Sequence, residues 1–146
     1  TLNIQHIVYD YNGTIAIDGI VLPEIKALFE NLSKVYTLHV ITADTFGSVH
    51  AELEGYDVNI KVLSTEYHTE EKAAYISKLG KDTCVALGNG NNDAAMLSSA
   101  SVGIAVMGDE GCAKDALMSS DVICKNIAEA LSLILQSKRL IATLRR

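Results

Sequence analysis

No stretch of this 146-residue chain approaches the roughly 20 consecutive apolar residues that a membrane span requires. The opening Thr1-Leu2-Asn3 lacks the basic, apolar and small-residue zones of a secretory leader. Cysteine is scarce as well: Cys84, Cys112 and Cys124 form an odd set without a CxxC pair, which argues against both a disulfide framework and a zinc site and leaves reduced, buried thiols. The four histidines, His6, His39, His50 and His68, show no HExxH or related spacing, so zinc chemistry gains no support from them. Positive charge is also in deficit. A net charge of −6 disfavours a general nucleic-acid binder, which needs a concentrated basic face. With no linker, repeat or low-complexity segment in view, the expectation is one cytoplasmic domain, 1–146, with neither membrane nor nucleic acid as partner.

The chain does have enough apolar material, 49% of residues, to fill one core. That material is distributed in alternating strand-like and helix-like segments. Ile4 to Tyr9 is β-branched and aromatic and reads as a first strand. Two short apolar arms, Ile15 to Ile17 and Ile20 to Leu22, flank Asp18-Gly19, a favoured turn pair, and predict a hairpin over 15–22. Pro23 opens a helix in its natural first-turn position, with Ile25, Leu28, Phe29 and Leu32 on one stripe. Strands are then expected at Thr37 to Ile41, Val58 to Leu63, Thr83 to Leu87, Val102 to Val106 and Asp121 to Cys124. Helices are expected at Phe46 to Leu53, Glu70 to Leu79, Asp93 to Ala100, Gly111 to Met118 and Ile127 to Leu135. Strands separated by helices, several apolar on both faces, predict an α/β fold with a doubly wound, Rossmann-like parallel sheet covered on both sides.

In such sheets ligands bind at the carboxyl ends of the strands, where the strand order reverses, and the polar signals of this sequence fall there. Asp10-Tyr11-Asn12-Gly13-Thr14 ends the first strand. A strand-terminal carboxylate can attack phosphorus and divide one hard displacement into two easier ones, while Gly13 allows a sharp turn whose amides can cradle phosphate oxygens. A plain Asn-Gly turn is the bland alternative. Gly88-Asn89-Gly90-Asn91-Asn92-Asp93 follows the Thr83 strand; Asp93 and the Asn89 amide oxygen are hard ligands of the kind Mg²⁺ prefers, though Asp93 could equally cap the next helix. Gly88, Gly90 and the later Asp109 also imitate part of a dinucleotide fingerprint, but Asp93 stands where the third glycine belongs, and a negative charge there suits a metal better than a pyrophosphate. Thr42, Ala43 and Asp44 follow the second strand, where a hydroxyl and neighbouring amides can hold a phosphoryl oxygen. Lys72 could neutralise phosphate and nucleophile together or serve as a solvated helix lysine. His68, one turn earlier, could lie near the site, with a surface role as the first expectation.

In chain order these elements resemble the four motifs of the haloacid dehalogenase (HAD) superfamily. Asp10 to Thr14 is similar to the DxDGT or DKTGT nucleophile loop, Thr42 to the second-motif hydroxyl, Lys72 to the third-motif lysine, and Gly88 to Leu97 to GDGxNDxxML. The resemblance implies an uncapped HAD-like fold, similar to a soluble P-type ATPase phosphorylation domain, with the 15–22 hairpin as a mobile flap. It implies catalytic roles for Asp10, Asn12, Thr42 and Lys72, phosphate binding by Gly13, Thr42, Ala43 and Lys72, and Mg²⁺ held by Asp10, the Asn12 carbonyl, Asn89 and Asp93.

Two departures from the family pattern matter. Asn12 replaces the aspartate that acts as general acid and base, and its loss predicts turnover slower by about 10²- to 10⁴-fold, limited by hydrolysis of the phosphoenzyme. Asn89 replaces a metal-binding aspartate and predicts weaker Mg²⁺ affinity. The expectation is therefore a phosphomonoesterase of modest activity on a phosphorylated small molecule or protein. The alternative is a phosphate-sensing or protein-interaction module with a degenerate site; a response-regulator receiver is disfavoured because its acidic pair after the first strand is absent. Lacking a cap, the site must draw specificity from the flap, from loops such as 43–47, or from a second copy in a homo-oligomer. The basic tail, 137–146, holds Lys138, Arg139, Arg145 and Arg146 without an acid and could reach such a neighbour or simply be solvated.

Overall fold

The computed structural model describes residues 3–43, 48–64, 66–109, 111–136 and 144. In chain order the elements are β1 (His6–Asp10), β2 (Ala16–Ile17), β3 (Ile20–Val21), α1 (Pro23–Ser33), β4 (Thr37–Thr42), α2 (Ser48–Glu52), β5 (Asn59–Val62), α3 (His68–Leu79), β6 (Cys84–Gly88), α4 (Ala94–Ser99), β7 (Val102–Val106), α5 (Lys114–Met118), β8 (Val122–Cys124) and α6 (Ile127–Leu135). Six strands form one sheet in the order β5-β4-β1-β6-β7-β8, and every pairing in it is parallel. The predicted Rossmann-like sheet is thus present. After β1 the chain winds outward through β4 to β5, then returns to lay β6 on the other side of β1. The reversal at β1 and β6 opens a crevice at their carboxyl ends.

Side-chain alternation on the strands sets up two cores. Ile7 and Tyr9 of β1, with Val85 and Leu87 of β6, join α1 and α6 through Phe29, Leu32, Leu131 and Ile134. Val8 of β1, with Cys84 and Ala86 of β6, joins α3, α4 and α5 through Ile76, Met96, Leu97 and Ala116. Each large apolar side chain removed from water in this way contributes roughly 1.5–3 kcal/mol before entropy is counted. Because alternation has period two, Asp10 projects to the Val8 side, the face that α3 covers. Gly103 on β7 is needed for the closeness of α4: a Cβ there would collide with the backbone carbonyl of Leu97.

The hairpin β2–β3 turns through Asp18 and Gly19, both with positive φ, as expected of an Asp-Gly turn. Several boundaries differ from expectation by one to three residues, two helix starts among them. Helix α3 begins two residues early, at His68, which places Glu70 and Glu71 in its first turn, where the helix dipole favours acids. Helix α5 begins at Lys114 rather than Gly111, because Gly111 has φ +80° and Ala113 is extended. Helix α2 starts at Ser48; Phe46 and Gly47, like Asp44, lie outside the described residues. Of the tail, Leu144 alone is described, half-buried against the α1/α6 core, so its four basic residues also lie outside. Among the described residues nothing beyond the hairpin and α1 separates β1 from β4, so no cap is present there.

Candidate active site

Beyond Asp10 the chain folds back on itself. The Tyr11 carbonyl accepts the amides of Ile15 and Ala16 at 3.0 Å each, and Gly13, at φ +80°, donates its own amide to the Ala16 carbonyl at 2.8 Å. The fully buried Tyr11 donates its hydroxyl to the Gly19 carbonyl at 2.7 Å, which ties the hairpin turn to the nucleophile loop. Across the crevice a tight 3-10 turn at Asn91–Asp93 leads into α4. Asp93 is completely buried, and its Oδ2 accepts the amides of Asn89 and Gly90 at 3.0 Å. These bonds close the turn before α4 rather than cap that helix, to which the Asp93 side chain makes no capping bond, and they leave Oδ1 to face the crevice. A Cβ on Gly88 would sit 2.6 Å from the Asp93 carboxyl carbon, so only glycine permits this fold-back.

Lys72 joins the two sides. Its Nζ donates to Asp93 Oδ1 at 2.7 Å, to Asp10 Oδ1 at 2.9 Å and to Asn92 Oδ1 at 3.2 Å, which uses all three N–H bonds of the ammonium. Lys72 is 3% exposed, so the solvated-lysine alternative does not hold. Burial alone would lower its pKa, but the carboxylates of Asp10 and Asp93 more than offset that and hold it above the ordinary value. Burial pushes the Asp10 carboxyl up to about 7, and the like charge of Asp93 adds to the rise against the opposing pull of Lys72. One ammonium is thus shared by two buried carboxylates, and the group remains a cation short.

Asp10, Asn12, Thr42, Ala43 and Lys72 line one cleft of about 210 Å³, together with Asn92 and His68. A larger hollow of about 280 Å³ lies on the far side of Gly13 and Thr14 and contains neither Asp10 nor Lys72, so the chemistry belongs to the smaller one. Gly13 faces that larger hollow, and its amide is already committed to Ala16; the structure does not bring it to the cleft. Asn89 comes close to the site in an unforeseen way. Its Nδ2 donates to the Gly13 carbonyl at 2.9 Å and to the Gly111 carbonyl at 3.3 Å, stapling the loops after β1, β6 and β7. Its Oδ1 stands 3.4 Å from the Thr14 hydroxyl, itself 3.5 Å from Asp10 Oδ2. Sequence reasoning gave no role to Asn92 or Thr14, although both lie inside the motifs it identified, and of the two places it allowed His68 it preferred the surface over the site, where the residue in fact lines the cleft. The dinucleotide alternative fails here: Asp93 occupies its third glycine position as a buried carboxylate, and Asp109 lines the other hollow.

Among the described residues no three His, Cys, Asp or Glu side chains converge to hold an ion. The donor set nonetheless suits a hard divalent cation: two carboxylates share a single ammonium, and the Asn92 amide oxygen lies beside them.

No family model matches the sequence. The uncharacterized protein MJ0073 of Methanocaldococcus jannaschii is 40% identical over 92 residues, which cover 59% of this chain and 99% of that protein. Among solved structures, the 3-deoxy-D-manno-octulosonate 8-phosphate phosphatase of Moraxella catarrhalis, in complex with magnesium, phosphate and the sugar acid, superposes with a TM-score of 0.76 at 19% identity, covering 99% of this chain and 95% of that one. The cobalt-bound enzyme of the same name from Haemophilus influenzae gives 0.72 at 10% identity, covering 95% and 92%. That of Yersinia pestis gives 0.73 at 12% identity, covering 95% and 85%.

Proposed function

The chain belongs to one family with MJ0073 and has the fold of the HAD-superfamily phosphatases, and from that premise we propose that it is a Mg²⁺-dependent phosphomonoesterase working through an aspartyl phosphate on Asp10. The observation that carries this reading is the Lys72 ammonium, buried at the switch point and held at once by Asp10 and Asp93. The magnesium and cobalt in two of the similar phosphatase structures lend it support.

Asp10, Asp93 and the Asn12 carbonyl would hold the divalent ion, with the Asn89 amide oxygen as a further ligand. Bound there, the ion supplies positive charge against the phosphoryl oxygens and allows two carboxylates to stay ionised side by side. Asp10 must be ionised to attack, and a second cation beside it counters the burial and the Asp93 charge that otherwise hold its proton on. The Asp10 oxygen attacks phosphorus, and Lys72 steadies the transferring oxygens as charge develops on them. Because all three Lys72 N–H groups are engaged, one partner must yield to phosphate; Asn92, exposed and the most distant of the three, is the one placed to do so. Thr42, at the end of β4, and the following amide of Ala43 border the same cleft and complete the phosphate shell. Asn12 shares that cleft but cannot shuttle a proton, which keeps turnover modest.

An aryl phosphate assayed with and without Mg²⁺ tests the proposal. Hydrolysis should require the metal and vanish in Asp10→Asn; activity that survives this substitution would end it. The narrower likeness to a P-type ATPase phosphorylation domain belongs to the same proposal, as does a phosphorylated small molecule or protein as substrate. One observation favours a second reading, a phosphate-sensing module: Asn89 staples three loops with the NH2 group that a metal-binding aspartate would lack. That reading requires phosphate or a phosphorylated partner to bind without turnover, so metal-dependent hydrolysis of any monoester excludes it.

A further inference from the structure

The cleft contains a group able to move protons, though not where family logic would put it. Helix α3 follows β5 and enters from the carboxyl-end side of the sheet, so its first residue, His68, lies one turn, roughly 5 Å, outward from Lys72. His68 lines the same cleft as Asp10 and Asn12 and is half-buried. Its ring orientation is fixed: Nε2 lies 2.6 Å from the Ser64 carbonyl, an acceptor only, so Nε2 carries a hydrogen. Among the described residues Nδ1 has no hydrogen-bond partner. The Ser64 loop is held in turn by Glu71, which accepts from the Ser64 hydroxyl and amide. Tyr67 turns the chain into α3 at φ +63°, a left-handed conformation that a bulky side chain rarely adopts and that is typical of strain held at working sites.

A nucleophile at Asp10 expels its leaving group in line, away from β1 and towards the mouth of the cleft. Of the two cleft residues on α3, Lys72 is buried and His68, one turn outward, is partly exposed. We propose that His68 is the proton carrier of this site, donating from Nδ1 to the departing alkoxide and later accepting a proton from the attacking water, the role that Asn12 cannot fill. This rests on the phosphatase reading above and adds a substrate class to it: alkyl phosphate monoesters, whose leaving oxygen needs protonation. In the first half-reaction the Asp10–phosphorus bond forms as the phosphorus–alkoxide bond breaks, and the alkoxide takes the Nδ1 proton of a His68 imidazolium and leaves as an alcohol, while Nε2 keeps its hydrogen on Ser64 and the ring becomes neutral. In the second, water attacks phosphorus and gives a proton to Nδ1, and the bonding pair returns to the Asp10 carboxylate as phosphate departs. The charged groups beside His68 are Glu71 on its own helix, which also feels Lys61 of β5, and Lys72 and Asp10, which line the same cleft.

The test compares an alkyl phosphate with 4-nitrophenyl phosphate, whose leaving group needs no proton, in the full chain with Mg²⁺. His68→Gln retains an N–H donor for Ser64 but cannot exchange protons. It should lower kcat/KM for the alkyl ester by about 10²-fold or more, lower it for the nitrophenyl ester by less than about 10-fold, and flatten the alkaline limb of the kcat/KM profile for the alkyl ester, where a general acid loses its proton. Asn12→Asp in the His68→Gln background should recover the alkyl activity, and added imidazole should partly restore His68→Ala. Equal losses on both esters, or no loss on the alkyl ester, would overturn the proposal while leaving the phosphatase reading in place. A wild-type chain that hydrolyses neither ester would overturn both.

Discussion

Helix α3 presents two polar side chains to the same face of the sheet, Lys72 and Tyr75, and the two solve the burial of polarity in opposite ways. Towards the carboxyl ends of the strands, Lys72 is charged and held between Asp10 and Asp93. Towards the amino ends, the Tyr75 hydroxyl lies 2.7 Å from His39 Nδ1, and His39 Nε2 lies 3.0 Å from His6 Nδ1. A neutral His39 satisfies both contacts, accepting from Tyr75 and donating to His6. Burial, and then the neighbouring His6, lower the His39 pKa to about 4, which keeps it uncharged at neutral pH. One end of the face thus stores charge for chemistry and remains short of a cation, while the other is neutral and complete. The lesson is that the site is the less comfortable part of the sheet, as expected where function competes with stability.

The largest test of this contrast removes the shared cation. Lys72→Met leaves two carboxylates buried without an ammonium and should cost about 3–5 kcal/mol of stability at pH 7, together with all phosphoenzyme formation. Denaturant unfolding measures the first effect. A loss below about 1 kcal/mol would mean that the carboxylates are better hydrated than the geometry implies. Mg²⁺ at saturating concentration should return part of the lost stability, because the ion replaces the missing charge.

The pH dependence sharpens the comparison further. Asp10 has its folded pKa raised from 3.8 to about 7, so its contribution is present at low pH and is lost as pH rises through 7, on the order of 4 kcal/mol in all. His39 has its folded pKa lowered from 6.5 to about 4, so its contribution is present above 6.5 and is lost as pH falls towards 4, on the order of 3 kcal/mol. Between pH 4 and 6.5 the two slopes oppose each other, and the metal-free wild type should show nearly flat stability. Asp10→Asn should unmask a rise with pH over that window, and His39→Gln a fall. Thermal unfolding in matched buffers reads both, and parallel curves for the two variants would break the pairing.

Next in size is the staple. Asn89→Asp restores the family pattern but places a carboxylate against the Gly13 and Gly111 carbonyls and removes both donated bonds, which should cost about 1–3 kcal/mol. The same change should tighten Mg²⁺ binding, measured by the metal-induced rise in Tm. Unchanged stability would show that the three loops do not depend on that amide.

Much of this molecule was legible in the sequence. β-Branched runs at Ile7-Val8 and Val102 to Val106 marked strands that the sheet buries on both faces, and Pro23 and Asp18-Gly19 marked their helix start and turn in the way their backbone preferences dictate. The motifs around Asp10, Thr42 and Gly88 to Asp93 were legible because each sits at a strand end, where local sequence controls the turn. What stayed hidden depends on register between distant segments. His6 and His39 are 33 residues apart, and only the parallel pairing of β1 with β4 sets their rings together. Lys72 finds Asp10 across 62 residues, and nothing in Glu70-Glu71-Lys72 signals burial. Asn89 looked like a degraded ligand because its two carbonyl partners lie 76 and 22 residues away.

The smallest predicted effect concerns a third way of burying polarity, on the other face of the same central strand. Tyr9 of β1 is fully buried against Phe29, with ring centroids 5.1 Å apart, and burial raises its pKa well above the ordinary value. Among the described residues its hydroxyl has no hydrogen-bond partner. Unlike Lys72 or His39, it gains nothing that offsets desolvation. Tyr9→Phe keeps the ring contact and deletes the unsatisfied group, so it should leave stability unchanged or raise it by about 1 kcal/mol, with no effect on turnover. Paired unfolding curves decide the matter: destabilisation by more than about 1 kcal/mol would show that the hydroxyl has a partner and that this face, like the amino-end relay, satisfies every polar group it buries.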